Sequence, residues 1–122
     1  MKAAEALAED GIELEVVNAR FVKPLDRAML ADCAERHRLL YTYEDHAKAG
    51  GFGSAVNEAL VELAPGRQAV MFGIPDVWAP HGDVERLWEE LGMSAGDLTA
   101  RVRADLARIK AIPRPVRVRT GA

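Results

Sequence analysis

The amino-acid sequence predicts an α/β protein, a three-layer α/β/α sandwich around a mostly parallel sheet. Three observations carry that expectation. Along the 122 residues, segments with apolar side chains at helical spacing alternate with short apolar runs of strand type. Residues 39–63 read as strand, glycine-rich loop and helix, the order of an α/β crossover unit. Gly and Pro clusters punctuate the chain between these segments, at Gly11, Pro24, Pro65-Gly66, 73–82 and Gly92.

The elements follow in order. Met1 to Asp10 reads as a helix with Ala3, Ala4, Leu7 and Ala8 on one side, ended by Gly11. Ile12 to Phe21 reads as a strand centred on Val16-Val17, and residues 22–25 as a loop. Asp26 is a suitable N-cap for a helix over Arg27 to Arg38, whose buried face would hold Leu30, Cys33, Ala34 and His37. Leu39 to Tyr43 is the second strand, Ser54 to Leu63 the third helix and Gln68 to Phe72 the third strand. Asp83 caps a short helix through Leu91, with Val84, Leu87, Trp88 and Leu91 turned inward. Ser94 and Asp97 form a capping box at the start of a last helix with the stripe Leu98, Val102, Leu106 and Ile109. Residues 1–112 are thus expected to be one domain and 113–122 a disordered tail. The first helix has no strand before it, so the chain reads as the back part of a larger α/β domain.

Composition narrows the function classes. Apolar residues make up 49% and charged residues 29%, an ordinary globular balance, and the net charge of −3 points to neither nucleic acid nor an anionic membrane. No apolar run approaches the ~20 residues of a membrane span. Cys33 is the sole cysteine, which rules out an intrachain disulfide and fits a reducing cytoplasm.

The most informative stretch is Tyr43-Glu44-Asp45-His46 followed by Gly50-Gly51-Phe52-Gly53-Ser54. A glycine-rich loop before a helix offers free N–H groups to an anion. It matches neither the dinucleotide nor the P-loop pattern, and tight turning with close packing against a neighbouring domain is the simpler reading. Glu44, Asp45 and His46 invite an acid–base reading, yet such a cluster is more often solvated or at an interface. His37, His46 and His81 lack metal-ligand spacing, and Trp78 and Trp88 suit either a partner surface or a core. The residues alone present no catalytic constellation and no cofactor or metal site.

The order of motifs adds a resemblance. Residues 19–26 (ARFVKPLD) precede the two segments above, and Gly73-Ile74-Pro75-Asp76, His81-Gly82-Asp83 and Leu91-Gly92 follow. Over about residues 1–110 this resembles the C-terminal domain of the 1-deoxy-D-xylulose-5-phosphate synthases, in the thiamine diphosphate-dependent transketolase group. The first two motifs are shared with 2-oxoacid dehydrogenase β subunits; the Gly-Ile-Pro-Asp and His-Gly-Asp pair favours the synthases. The resemblance implies a transketolase C-terminal-domain-like fold lacking its first two strands, the second of which would run between Glu13–Ala19 and Leu39–Tyr43. It implies an enzyme condensing pyruvate with glyceraldehyde 3-phosphate on the way to isoprenoids, thiamine and pyridoxal. Thiamine diphosphate and Mg²⁺ are implied for the full enzyme, held by other domains, so this segment is expected to be inactive alone. The implied partners are those domains or a homodimer mate, met through Tyr43, Glu44, Asp45, His46, Gly50, Gly51, an exposed Phe52, Gly53, Trp78 and His81. A free-standing interaction module derived from the same domain is the alternative from another class.

Overall fold

A computed structural model describes residues 1–78 and 80–111. The expected tail, 113–122, lies outside them. The elements are α1 (Lys2–Ala8), α2 (Arg27–Arg36), β1 (Leu40–Ala47), α3 (Phe52–Leu63), β2 (Ala69–Ile74), α4 (Val84–Glu90) and α5 (Ala95–Ala111).

The expected layers are present. β1 and β2 pair in parallel from Leu40 opposite Ala69 to Tyr43 opposite Phe72, joined through α3. Alternation along the strands divides their side chains between two faces. On one face, Leu40 and Ala69 join Leu30 and Ala34 of α2 and Val56, Ala59 and Leu60 of α3 in the core. On the other, Tyr41 and Tyr43 flank Phe72 with ring centroids 6.4 Å away; Trp88 of α4 meets Tyr43 and Asp105 of α5 bonds Tyr41. α1 packs against α5 and buries Leu7 completely. Burying a Leu side chain contributes about 1.5–3 kcal/mol, so even this seven-residue helix is held by packing rather than by its own propensity.

The caps explain several boundaries. The Asp26 carboxylate accepts the Met29 N–H at 2.9 Å and starts α2. Ser94 Oγ accepts the Asp97 N–H at 3.1 Å while Asp97 accepts the Ser94 N–H at 2.9 Å, the expected reciprocal box. Asp83 accepts the N–H groups of Glu85 and Arg86 ahead of α4.

Three expectations are corrected. The strand expected over Ile12–Phe21 is absent: among the described residues none pairs with it, and a strand exists only through a ladder partner. The β-branched pair Val16 and Val17 is 55% and 42% exposed. The sheet of described residues therefore has two strands rather than three. In α4, Val84 faces solvent, and only Leu87, Trp88 and the following Leu91 are half-buried. His37, expected on the buried face of α2, is its C-cap and only partly covered.

Candidate functional site at the carboxyl ends of the strands

β1 extends beyond the expected Tyr43 through Glu44, Asp45 and His46 to Ala47. Its register breaks there. Tyr43 faces Phe72 and Ala47 faces Ile74, so three residues of β1 lie opposite Gly73 alone. The Lys48 N–H donates to the Ile74 carbonyl at 2.9 Å and closes the bulge. A bulge re-aims side chains, and this one turns Glu44 toward the start of α3.

Glu44 is the centre of the site. Its Oε2 accepts the Phe52 N–H at 2.7 Å and its Oε1 accepts the Gly53 N–H at 2.9 Å. Gly51, the N-cap of α3, has no side chain to do this. A carboxylate borrowed from the preceding strand therefore satisfies two orphan donors and sits at the positive end of the helix dipole. The Ser54 hydroxyl donates to the Lys48 carbonyl at 2.6 Å and accepts the Gly50 N–H at 3.1 Å, which pins the rest of the loop.

The glycines serve this close approach within the chain. A Cβ on Gly53 would lie 2.6 Å from Thr42 Oγ1 and 2.7 Å from Met71 Cγ, both in the sheet below. A Cβ on Gly51 would collide with the Ala47 carbonyl and the Glu44 carboxylate. Both glycines are buried. Thr42 Oγ1, shut in beneath Gly53, is buried with no hydrogen-bond partner among the described residues.

The anion cradle considered from the sequence is thus filled by the chain's own Glu44. A diphosphate there would meet a carboxylate rather than free N–H groups. No group of three or more His, Cys, Asp and Glu suited to a metal occurs among the described residues. Among the described residues, the donors of this loop do not fit a diphosphate with Mg²⁺.

The other candidate residues divide between interior and surface. Phe52, expected to be exposed, is half-buried and packs against the core of α2 and α3. Tyr43 donates its hydroxyl to the Met93 carbonyl at 2.6 Å and meets Trp88 edge-on, yet stays 42% exposed. Burial raises the Tyr43 phenol above its ordinary value. Asp45, His46, Gly50 and His81 are exposed. Among the described residues, the His46 ring makes one hydrogen bond, between Nδ1 and the Ala47 carbonyl at 3.4 Å, and joins no carboxylate. Trp78, just past β2, is 99% exposed and lines a shallow depression with Asp76 and Val77.

Two polar clusters outside this site escaped the sequence reading. Asp105, 4% exposed on α5, accepts the Tyr41 hydroxyl at 2.9 Å and Arg101 Nε at 2.8 Å, with Arg108 at 3.2 Å. Burial pushes its carboxyl up, but the bonds from Tyr41 and Arg101 outweigh that and leave it below its ordinary value. The signal was an acid in register with the stripe Leu98, Val102 and Ile109. The second cluster ties Glu15 to α2 and its C-cap. Arg36 spans Glu15 at 2.7 Å and Asp32 at 2.6 Å, and His37 also meets Glu15. Hydrogen bonds from Arg36 and His37 hold the Glu15 carboxyl down at about 2.

The comparisons with known proteins agree with this architecture. The family described as transketolase, C-terminal domain, matches residues 1–98. A 1-deoxy-D-xylulose-5-phosphate synthase of Synechococcus sp. (strain JA-2-3B'a(2-13)) is 44% identical over 104 residues, which are 85% of this chain and 16% of that protein. The synthase of Desulforudis audaxviator is 44% identical over 123 residues, covering 96% of this chain and 19% of its own. The chain therefore spans less than a fifth of these relatives' length. A solved structure described as a split-gene transketolase, an inactive β4 tetramer, superposes with a TM-score of 0.72 at 36% identity. The match covers 87% of this chain and 33% of that one. With its α/β/α layers, parallel strands and a family match over most of its length, the chain belongs to the transketolase C-terminal domain family.

Proposed function

We propose that this chain is the C-terminal domain of a thiamine diphosphate-dependent 1-deoxy-D-xylulose-5-phosphate synthase, a cytoplasmic enzyme, and that it serves assembly rather than chemistry. The observation that carries the reading is 44% identity to a synthase over 85% of the chain. Within the site, Glu44 on the α3 N-terminus supports the non-catalytic half of it: the most ligand-like loop already holds its own anion. The cofactor and the two substrates, pyruvate and glyceraldehyde 3-phosphate, are then bound by the remaining domains.

Assembly would use the exposed members of the site, with Trp78 as anchor and Asp45, His46 and His81 as its polar surround. A fully exposed Trp beside Val77 is the kind of side chain that dominates interface energetics. The chain incubated with both substrates, thiamine diphosphate and Mg²⁺ is expected to give no ketose phosphate above background. Joined to the preceding domains of a synthase relative, it should support turnover. Product from the chain alone would overturn the proposal. In that joined enzyme, Trp78→Ala should weaken subunit association by about 2 kcal/mol or more in sedimentation. Unchanged association would remove Trp78 from the interface.

A further inference from the structure

We propose that residues 13–25 form a strap that lifts from the domain as one unit, and that Glu15 is its catch, held by Arg36 and His37 and released by ionic strength. The strap runs from α1 to α2. At its near end the Ile12 N–H donates to the Leu7 carbonyl at 3.0 Å. At its far end Leu25 packs against the core ahead of the Asp26 cap. Between these points it belongs to no helix or strand. Among the described residues, its hydrogen bonds are those of the Glu15 carboxylate and one local bond, from the Arg20 N–H to the Asn18 carbonyl at 3.0 Å. Packing is sparse along the middle. Leu14 and Ala19 are half-buried, whereas Val16, Val17, Phe21 and Val22 are exposed.

The catch is shaped for a carboxylate. Arg36 Nη1 donates to Glu15 Oε2 at 2.7 Å and Nη2 donates to Oε1 at 3.0 Å, a two-pronged fork. The His37 ring meets Oε2 from the C-cap of α2. These bonds hold the Glu15 carboxyl at about 2, so the catch is charged at neutral pH. Isolated surface ion pairs contribute little; a bidentate fork inside a network of charges is the exception. Here that exception falls on a segment with no other side-chain hydrogen bond among the described residues, so its whole effect is on where the strap lies.

Arg36 also provides for the open state. Its Nε and Nη2 donate to Asp32 Oδ2 at 2.8 and 2.6 Å. When Glu15 leaves, Arg36 stays paired with Asp32 and water takes up the freed carboxylate. No buried group loses a partner, because Glu15, Asp32, Arg36 and His37 are all partly in solvent already. Closed and open arrangements of the same charges therefore lie close in free energy, as a two-state element requires. Exposure also makes the catch sensitive to salt. The screening length falls from about 10 Å at 0.1 M to about 3 Å at 1 M.

A nitroxide label on the strap of the full chain tests the catch. With Cys33→Ala as background, Val17→Cys carries the label, and Val61→Cys on α3 carries the reference label. At 0.1 M salt, adding Glu15→Ala is expected to raise the mobile fraction at position 17 about three-fold or more and to leave position 61 unchanged. Raising salt to 1 M should do the same when Glu15 is present and add little when it is Ala. Asp32→Asn, which leaves the Arg36 fork to Glu15 alone, should not raise the mobile fraction. An unchanged label at position 17 in Glu15→Ala, with position 61 showing an intact fold, overturns the proposal. So does an equal response to salt with and without Glu15, or a rise in Asp32→Asn matching that of Glu15→Ala.

Discussion

Glu44 shows how one side chain resolves several demands at once. Without it the first turn of α3 would present the N–H groups of Phe52 and Gly53 to a buried space, since Gly51 has no capping side chain. With it, two charge-assisted bonds form at 2.7 and 2.9 Å. The bulge in β1 and the missing Cβ atoms of Gly51 and Gly53 make that approach sterically possible. Glu44→Ala should therefore destabilise the protein by about 1–3 kcal/mol, from lost capping and two under-satisfied donors. Glu44→Gln keeps one acceptor and should cost roughly half as much. Chemical denaturation of both variants checks the order, and a neutral Glu44→Ala would sink the capping role. The same tight contact accounts for Thr42, whose hydroxyl is covered by Gly53 and left unpartnered among the described residues.

At the scale of elements, legibility followed the strength of local signals. α2 begins where Asp26 predicts, and α5 begins at its capping box, because a cap is a contact within three residues and needs no tertiary context. α3 and β2 fall within two residues of expectation for a similar reason, their apolar periodicity being undiluted. β1 ran on through Glu44-Asp45-His46, which looked like a loop in the sequence. Its continuation depends on pairing with Ile74, and its polar side chains find either solvent or a helix end. Residues 12–21 failed in the opposite direction. Strand propensity in Val16-Val17 is real but yields no strand without a neighbour. The candidate site was half legible: glycine spacing revealed the tight loop, but nothing local showed that an acid eight residues upstream would fill it.

The whole molecule is a small core with an open sheet. β1 pairs on one side with β2, and no second partner for it occurs among the described residues. An unpaired strand edge invites another strand, from a neighbouring domain or from aggregation. Each backbone group left buried without a partner costs about 1–3 kcal/mol, against a total stability of about 5–15 kcal/mol for a typical domain. A few such groups decide whether the domain is robust. The relatives supply the means to measure this, since over four-fifths of each synthase's length lies outside the part this chain spans. Joined to all of the Desulforudis synthase that precedes the matched part, the first strands of this domain included, the chain should melt on the order of 10 °C higher than alone, as about 4–8 °C accompanies each kcal/mol in a small domain. Amide exchange at Leu40–Tyr43 should slow in the joined protein, because the open edge of β1 gains its ladder. Equal melting temperatures, with the isolated chain monomeric and its β1 amides already protected, would show that two strands suffice and that β1 is a finished edge.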